Sequence, residues 1–449
     1  VESAMSEFKM KKLSGSMILA IEPYSGFWAI THKAKDLNKI REEYNNARVI
    51  LEKRRAFEER KLQISHVEMH LTENCNMMCK YCYVPPALQK QNKKMSINTA
   101  KTALLKVVDY AERARLPWIT ITFHGGEPLL CKDEILEIVE YFSNEKKLTF
   151  DIQTNGTLLD ESFCKEMKRY QVKIGFSLDG YKIVNDPTRK FKNGTGSFDR
   201  IMEGISIYKR YNEKFGGICT VHKYNAAHLE KIVEFFHRIG AYSLFFNPLI
   251  PYNKKTIELI AKKSVLINSY KSAILQQINI NKNSAQNKRI FISNVEALLL
   301  NIVADYQPCV CYESPCGAGR IMLVVTSNCD VYPCSEFITS KKFCVGNLLE
   351  EGIEKILSSQ LCQKLRKRSV NAIPQCSECS YRYICSANCP YSAYFCSGDF
   401  FRPPLYCDFY HEIVTFLFQL LDEYGKKLLP FLISNSKVLK SPEMYYEVM

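Results

Sequence analysis

From residue 64 to about 247 the chain alternates short apolar or every-other-apolar runs with longer stretches in which apolar residues recur every three or four positions. The first period is that of a strand and the second that of a helix. The pattern predicts strands over 64–70, 118–124, 148–153, 172–177, 217–221 and 243–247, with helices between them. After the fourth strand, Phe198, Ile201, Met202 and Ile205 fall at i, i+3, i+4 and i+7, with Ser197 as the expected N-cap. Six βα units imply an α/β fold with a parallel sheet, a partial (β/α)6 TIM-type barrel whose reactive groups follow the C-terminal ends of the strands. Residues 17–31 read as a hairpin around 23–26, and 35–60 has helical composition. The expected divisions are a small N-terminal module over 1–62, the barrel over 63–250 and a helical bridge over 251–308, broken by an Asn-rich loop at 279–288. A Cys-rich domain over 309–407 follows, then a tail over 408–449 that opens on an apolar helix at 411–421.

Composition narrows the class. The 449 residues are 46% hydrophobic and 24% charged, which excludes disorder and low complexity. The balance of 61 Lys+Arg against 47 Asp+Glu gives +14, but the densest basic runs, 53–55 and 364–368, are short and read as solvated helix faces, so no nucleic-acid partner is expected. The longest apolar run, 413–421, is far below the roughly 20 residues that span a bilayer. Of 19 cysteines, 13 lie between Cys309 and Cys407, and no secretory pattern opens the chain. A cytoplasmic, reducing location follows, in which clustered thiols serve as metal ligands rather than disulfides.

Directly after the first predicted strand, Cys75, Cys79 and Cys82 place three thiols within eight residues. Thiolates suit iron–sulfur clusters, and three of them on a four-iron cluster leave one iron open to a substrate or cosubstrate. The competing readings are a zinc site completed by a residue such as His70, and simple buried thiols. With Tyr81 before the third cysteine, the run resembles the radical S-adenosylmethionine superfamily. Gly125-Gly126-Glu127-Pro128 after strand two, Gln153-Thr154-Asn155-Gly156 after strand three and Ser177-Leu178-Asp179-Gly180 after strand four agree with it in order. The resemblance implies a 4Fe-4S cluster on Cys75, Cys79 and Cys82. It also implies S-adenosylmethionine held by Tyr81, Gly125, Gly126, Glu127, Thr154, Asn155, Ser177, Asp179, Arg189 and Asn247. In that assignment Glu127 meets the methionine ammonium, Ser177 the ribose and Arg189 the methionine carboxylate.

The second cysteine group resembles the SPASM extension of the same superfamily, through Cys376-x2-Cys379-x5-Cys385-x3-Cys389, Cys316-Gly317-Ala318-Gly319 and Asp330 to Cys334. The resemblance assigns Cys376, Cys379, Cys385 and Cys407 to one auxiliary 4Fe-4S cluster and Cys316, Cys334 and Cys389 to another, three clusters in all. Cys309 or Cys311 completes the last set, with Cys311 preferred, unless a substrate thiolate takes that iron. Cys329 stands where the family usually has glycine, which predicts an altered turn or a new use of the thiol. A zinc ribbon is the alternative for this region. Cys131, Cys164, Cys219, Cys344 and Cys362 read as inert thiols, and Cys396 is unassigned.

What the resemblance implies is reductive cleavage of S-adenosylmethionine to a 5'-deoxyadenosyl radical that takes a hydrogen from a peptide, with electrons from a flavodoxin- or ferredoxin-type donor. Sulfatase-maturating members usually carry Asp directly after the cysteine matched by Cys334. Ser335 occupies that place, and Glu336 one residue on is the candidate base. The favoured reading is therefore a maturase of ribosomally made precursor peptides that forms thioether crosslinks from cysteine. The alternatives are an anaerobic sulfatase-maturating, formylglycine-forming enzyme and a non-catalytic zinc-binding interaction module.

Overall fold

All six expected strands form, and they lie side by side in chain order: β4 (His66–His70), β5 (Ile119–His124), β6 (Leu148–Thr154), β7 (Lys173–Ser177), β8 (Gly216–Val221) and β9 (Ser243–Pro248), each parallel to the next. The computed structural model describes residues 8–22, 27–33, 38–45, 63–304, 307 and 309–434. The register decides the chemistry of the two sheet faces. Glu68 pairs with Thr122 and Thr122 with Asp151, while Thr220 pairs with Asn247, so polar side chains of successive strands share one face. The other face carries Val67, Met69, Ile121, Phe123, Ile152 and Phe176, all buried. Against it pack helices such as Ile97–Arg113, which opens on Ser96 accepting from the Thr99 N–H and buries Ala100, Ala103, Leu104 and Val107 at helical spacing. The inside of the curved sheet is thus left polar.

The sheet does not stop at six strands. β10 (Phe291–Ile292) adds in parallel to β9, and β11 (Met322–Val325) adds in parallel to β4, followed by antiparallel β12 (Asp330–Tyr332) and β13 (Gly346–Asn347). The Cys-rich region is therefore hydrogen-bonded into the barrel sheet along Met322–His66 through Val325–Met69. Cys329 sits at the β11–β12 turn with φ +61°, and its thiol is fully buried. The left-handed turn that glycine would adopt is kept rather than altered, at a backbone cost of about 1–2 kcal/mol.

The bridge is carried by two long helices, Lys263–Lys282 and Ser293–Val303, after the short turn of helix at Lys254–Ile257, and the first long helix runs four residues into the expected loop. The C-terminal helix begins at Cys407 rather than 411 and ends at Tyr424. The expected hairpin is present as β2 (Met17–Ile21) and β3 (Trp28–Thr31), with an unanticipated β1 (Lys9–Ser14) on its edge. Residues 38–45 are helical; the turn at 23–26 and the rest of the expected helix at 46–60 lie outside the described residues.

This N-terminal sheet is held by Trp28, whose indole N–H donates to the Ile302 carbonyl at 2.9 Å and whose ring lies 5.0 Å from Phe418. Trp28→Ala is expected to remove about 3–5 kcal/mol of docking. Residues 8–31 then become the first site of limited proteolysis while the barrel stays intact; unchanged protection would contradict this attachment.

Candidate active site

The loop after β4 carries Cys75, Cys79 and Cys82 and is pinned from two sides. Met78 N donates to Lys190 O at 2.7 Å and Lys80 N to Thr188 O at 3.0 Å. On the other side, Gly126 N donates to Thr72 O and Glu127 N to Asn74 O, at 3.1 and 2.8 Å. A Cβ on Gly126 would stand 2.0 Å from Asn74 O, and one on Gly125, at φ +111°, 2.7 Å from Thr72 O. The two glycines therefore let this loop seat against the cysteine loop. Glu127 is 1% exposed and accepts from Asn155 N at 2.8 Å, Leu129 N at 3.0 Å and the Thr154 hydroxyl, binding the ends of β5 and β6 together. Asn155 completes the corner, donating to Asn76 Oδ1 at 2.9 Å and lying 3.8 Å from Cys75 Sγ.

Asp179, fully buried after β7, is the second hub. It accepts from the Tyr81 hydroxyl at 2.6 Å and the Thr220 N–H at 3.1 Å, and lies 3.3 Å from both Thr188 Oγ1 and His222 Nε2. Arg189 donates to the Tyr81 hydroxyl at 2.9 Å, and its buried Nε has no partner among the described residues. A buried guanidinium edge of this kind fits a carboxylate. Ser177 accepts from Gln153 Nε2 at 3.0 Å, and Asn247, at the end of β9, pairs in register with Thr220 on the same face. His222 was not among the expected residues. Its signal was a histidine directly after an alternating strand, where barrel chemistry collects.

Burial pushes the Cys79 thiol up to about 12 and raises Cys75 and Cys82 as well, so ligation to metal is what releases their protons. Among the described residues, one group of three His, Cys, Asp or Glu ligand atoms lies within 4.8 Å of one another, and it is Glu68, His70 and His124. Among the described residues no three cysteine sulfurs come within that distance, whereas the 2.3 Å bonds of a single zinc would hold them closer.

The Glu68 group forms a polar seam inside the barrel. Glu68 Oε1 lies 3.1 Å from His70 Nε2 and 3.2 Å from His124 Nδ1, while the Ser335 hydroxyl donates to its other oxygen. Burial works against ionisation of Glu68, and His124 and His70 outweigh it, holding the carboxyl well below its usual range. Tyr83, next to Cys82, meets His124 Nδ1 at 2.9 Å. The seam thus joins the residue after Cys82 to the residue after Cys334. Glu336 faces it, and burial, with Glu68, pushes its carboxyl up to about 7.

In the Cys-rich region the thiols of Cys311, Cys316, Cys334 and Cys389 face one another, and those of Cys376, Cys379, Cys385 and Cys407 form a second set. Cys309 hydrogen-bonds Cys311 and also faces Cys316, so both candidates reach the first set. Cys131, Cys164, Cys219 and Cys362 are fully buried, whereas Cys344 is half-buried. Ser197 is not the helix cap expected of it. It donates to Arg189 O at 2.9 Å, and Asp186 accepts from the Phe198 N–H instead, so the serine spends its hydroxyl on the arginine segment.

Residues 69–236 match the model of the radical SAM superfamily, and residues 316–380 that of SPASM, an iron–sulfur cluster-binding domain. An uncharacterized protein of Archaeoglobus fulgidus is 31% identical over 88% of this chain and 89% of its own length. A serine-type anaerobic sulfatase-maturating enzyme of Bacteroides thetaiotaomicron is 25% identical over 72% of this chain and 82% of its own. The solved structure of native anSMEcpe with bound AdoMet and Cp18Cys peptide superposes with a TM-score of 0.69 at 21% identity, covering 81% of this chain and 99% of that one, a likeness of fold. These matches displace the non-catalytic zinc module. With its cysteine loop, parallel sheet and Cys-rich extension, the chain belongs to the radical SAM superfamily, with a SPASM region, and takes S-adenosylmethionine and 4Fe-4S clusters as cofactors.

Proposed function

We propose that the protein is a cytoplasmic peptide maturase that oxidatively modifies a ribosomally made precursor peptide, forming thioether crosslinks from cysteine. Three 4Fe-4S clusters and a flavodoxin- or ferredoxin-type donor serve it. The observation that carries the reading is the Cys334-Ser335-Glu336 turn. Ser335 stands where sulfatase-maturating members usually have Asp, and its hydroxyl is committed to Glu68, while Glu336 is the half-buried carboxylate next in line. The second reading, formylglycine formation, is favoured by the sulfatase-maturating relatives.

When bound, S-adenosylmethionine and its cluster supply the carbon radical that takes a hydrogen atom from the substrate. The chain's own residues bind and orient. Arg189, steadied through Tyr81 by Asp179, offers Nε to the methionine carboxylate. Glu127 holds the β5 and β6 loops in place so that Thr154 and Asn155 face the cosubstrate, with Ser177 and Asn247 further round the same face. The polar inner face receives the peptide, and Glu336 accepts its proton at a carboxylate oxygen. Cys311 completes the cluster set of Cys316, Cys334 and Cys389, and Cys376, Cys379, Cys385 and Cys407 hold the other.

Replacing Cys75, Cys79 and Cys82 together by Ala is expected to abolish 5'-deoxyadenosine formation while about eight of roughly twelve irons remain. Continued cleavage, or loss of all iron, would contradict the assignment. Asp179→Asn is expected to weaken S-adenosylmethionine binding at least tenfold, about 1.4 kcal/mol, in equilibrium dialysis, and unchanged affinity would remove Asp179 from the site. Incubated with a cysteine-containing precursor peptide, the parent enzyme is expected to give a product that has lost two hydrogens and a free thiol with its sulfur retained. A sulfatase-type peptide should yield no aldehyde. Glu336→Gln lowers that turnover by about a hundredfold with iron content unchanged. Formylglycine in the product would transfer the assignment to the second reading.

A further inference from the structure

Arg368 is 2% exposed, yet among the described residues no carboxylate pairs with it. Its guanidinium instead donates to four backbone carbonyls: Phe400, Asn388 at 3.3 Å, Ala387 at 3.1 Å and Arg402 at 3.2 Å. Carbonyl dipoles satisfy its hydrogen bonds but do not cancel its charge. A buried cation without an anion is costly, so a counter-charge is owed to it.

Two features of the surroundings identify that counter-charge. The guanidinium faces Cys316 and Cys389 of one thiol set and Cys376 and Cys385 of the other, two from each. Two of its acceptors, Ala387 and Asn388, lie in the three-residue link from Cys385 to Cys389, which runs directly from one set to the other. That link is strained. Ser386, Ala387 and Asn388 have φ of 55°, 52° and 33°, three consecutive non-glycine residues in the left-handed region. Such a run persists only where its surroundings hold it, and Arg368 grips two of its three carbonyls. The segment bearing Arg368 is itself anchored, Val370 N donating to Ser314 Oγ at 2.9 Å. The planar fork reaches all four carbonyls at once, while a lysine ammonium would reach fewer of them and carry the same charge.

We propose that Arg368 is a positioning residue shared by the two auxiliary clusters: it clamps the Cys385–Cys389 link and places one positive charge against both ligand sets, raising the two reduction potentials together. The inference rests on the reading that these eight cysteines hold two 4Fe-4S clusters. Adding an electron makes a thiolate-ligated cluster more negative, so a fixed cation in a low-dielectric interior stabilises the reduced form more than the oxidised one. Glu336 faces Cys334 and Cys389, and Arg320 faces Cys316; the Tyr410 phenol faces both sets but is neutral, so among the charged side chains of the described residues named against these thiols Arg368 is the common element.

The test is a redox titration of anaerobically reconstituted full-length enzyme, followed by electron paramagnetic resonance, with iron counted in every sample. Arg368→Met and Arg368→Lys are compared with the parent. The neutral variant is expected to lower both auxiliary midpoint potentials by at least a tenfold change in the one-electron equilibrium, about 59 mV. The cluster on Cys75, Cys79 and Cys82 should be unmoved, and Arg368→Lys should stay near the parent. Loss of auxiliary iron from Arg368→Met with retention in Arg368→Lys supports the same charge requirement. Unchanged potentials at full iron, a fall confined to one cluster, or equal losses in the Met and Lys variants would overturn the proposal. A parent protein holding only about four irons would instead overturn the cluster reading beneath it.

Discussion

The short parallel ladder between β4 and β11 is the constraint from which the rest follows. β4 ends in the cysteine loop, and β11 follows Cys316 and leads through β12 to Cys334. Pairing Met322 with His66 and Val325 with Met69 therefore fixes the radical site against the first auxiliary thiol set through backbone hydrogen bonds. It also stops β4 from being an edge. The polar seam lies over this junction, with Glu68 of β4 receiving Ser335 from the Cys-rich side and facing His70 and His124 from the barrel side. A slip of one residue would turn Glu68 and His70 to the apolar face and strand Ser335.

Around that junction the site is assembled by carboxylates that touch several loops at once. Glu127 joins the second and third βα loops, and Asp179 joins the cysteine loop through Tyr81, the arginine segment through Thr188 and β8 through Thr220 and His222. Neither needs to react. Their value is that a buried carboxylate with several donors tolerates few arrangements, so the loops carrying Cys75, Asn155 and Arg189 are set before any ligand arrives.

The barrel was legible because its signal is local. Alternation marks each strand, and the motifs at strand ends, Cys75 to Cys82, Gly125 to Glu127 and Ser177 to Gly180, are contiguous. What escaped depends on contacts between distant parts of the chain. The β4–β11 ladder joins residues more than 250 positions apart, and nothing in the three-residue β12 or two-residue β13 announces a strand. Ser197 has the composition of a cap, but Asp186 outcompetes it, a tertiary override of a local preference. The seam has a signal of its own in the sequence: His66, Glu68 and His70 alternate with Val67 and Met69, a strand polar on the face that a barrel turns inward. Arg368 sits in a basic run that reads as solvated surface, and only the fold reveals that it is buried among carbonyls and thiols.

The rigid registration of the two halves is tested most directly by amide hydrogen exchange of the reconstituted enzyme, comparing Val67–Met69 with Leu323–Val325. The account requires the two segments to be protected to the same degree and to lose protection together under rising denaturant, as one cooperative unit. Exchange of Leu323–Val325 at the rate of an independent hairpin, while Val67–Met69 stays protected, would contradict it.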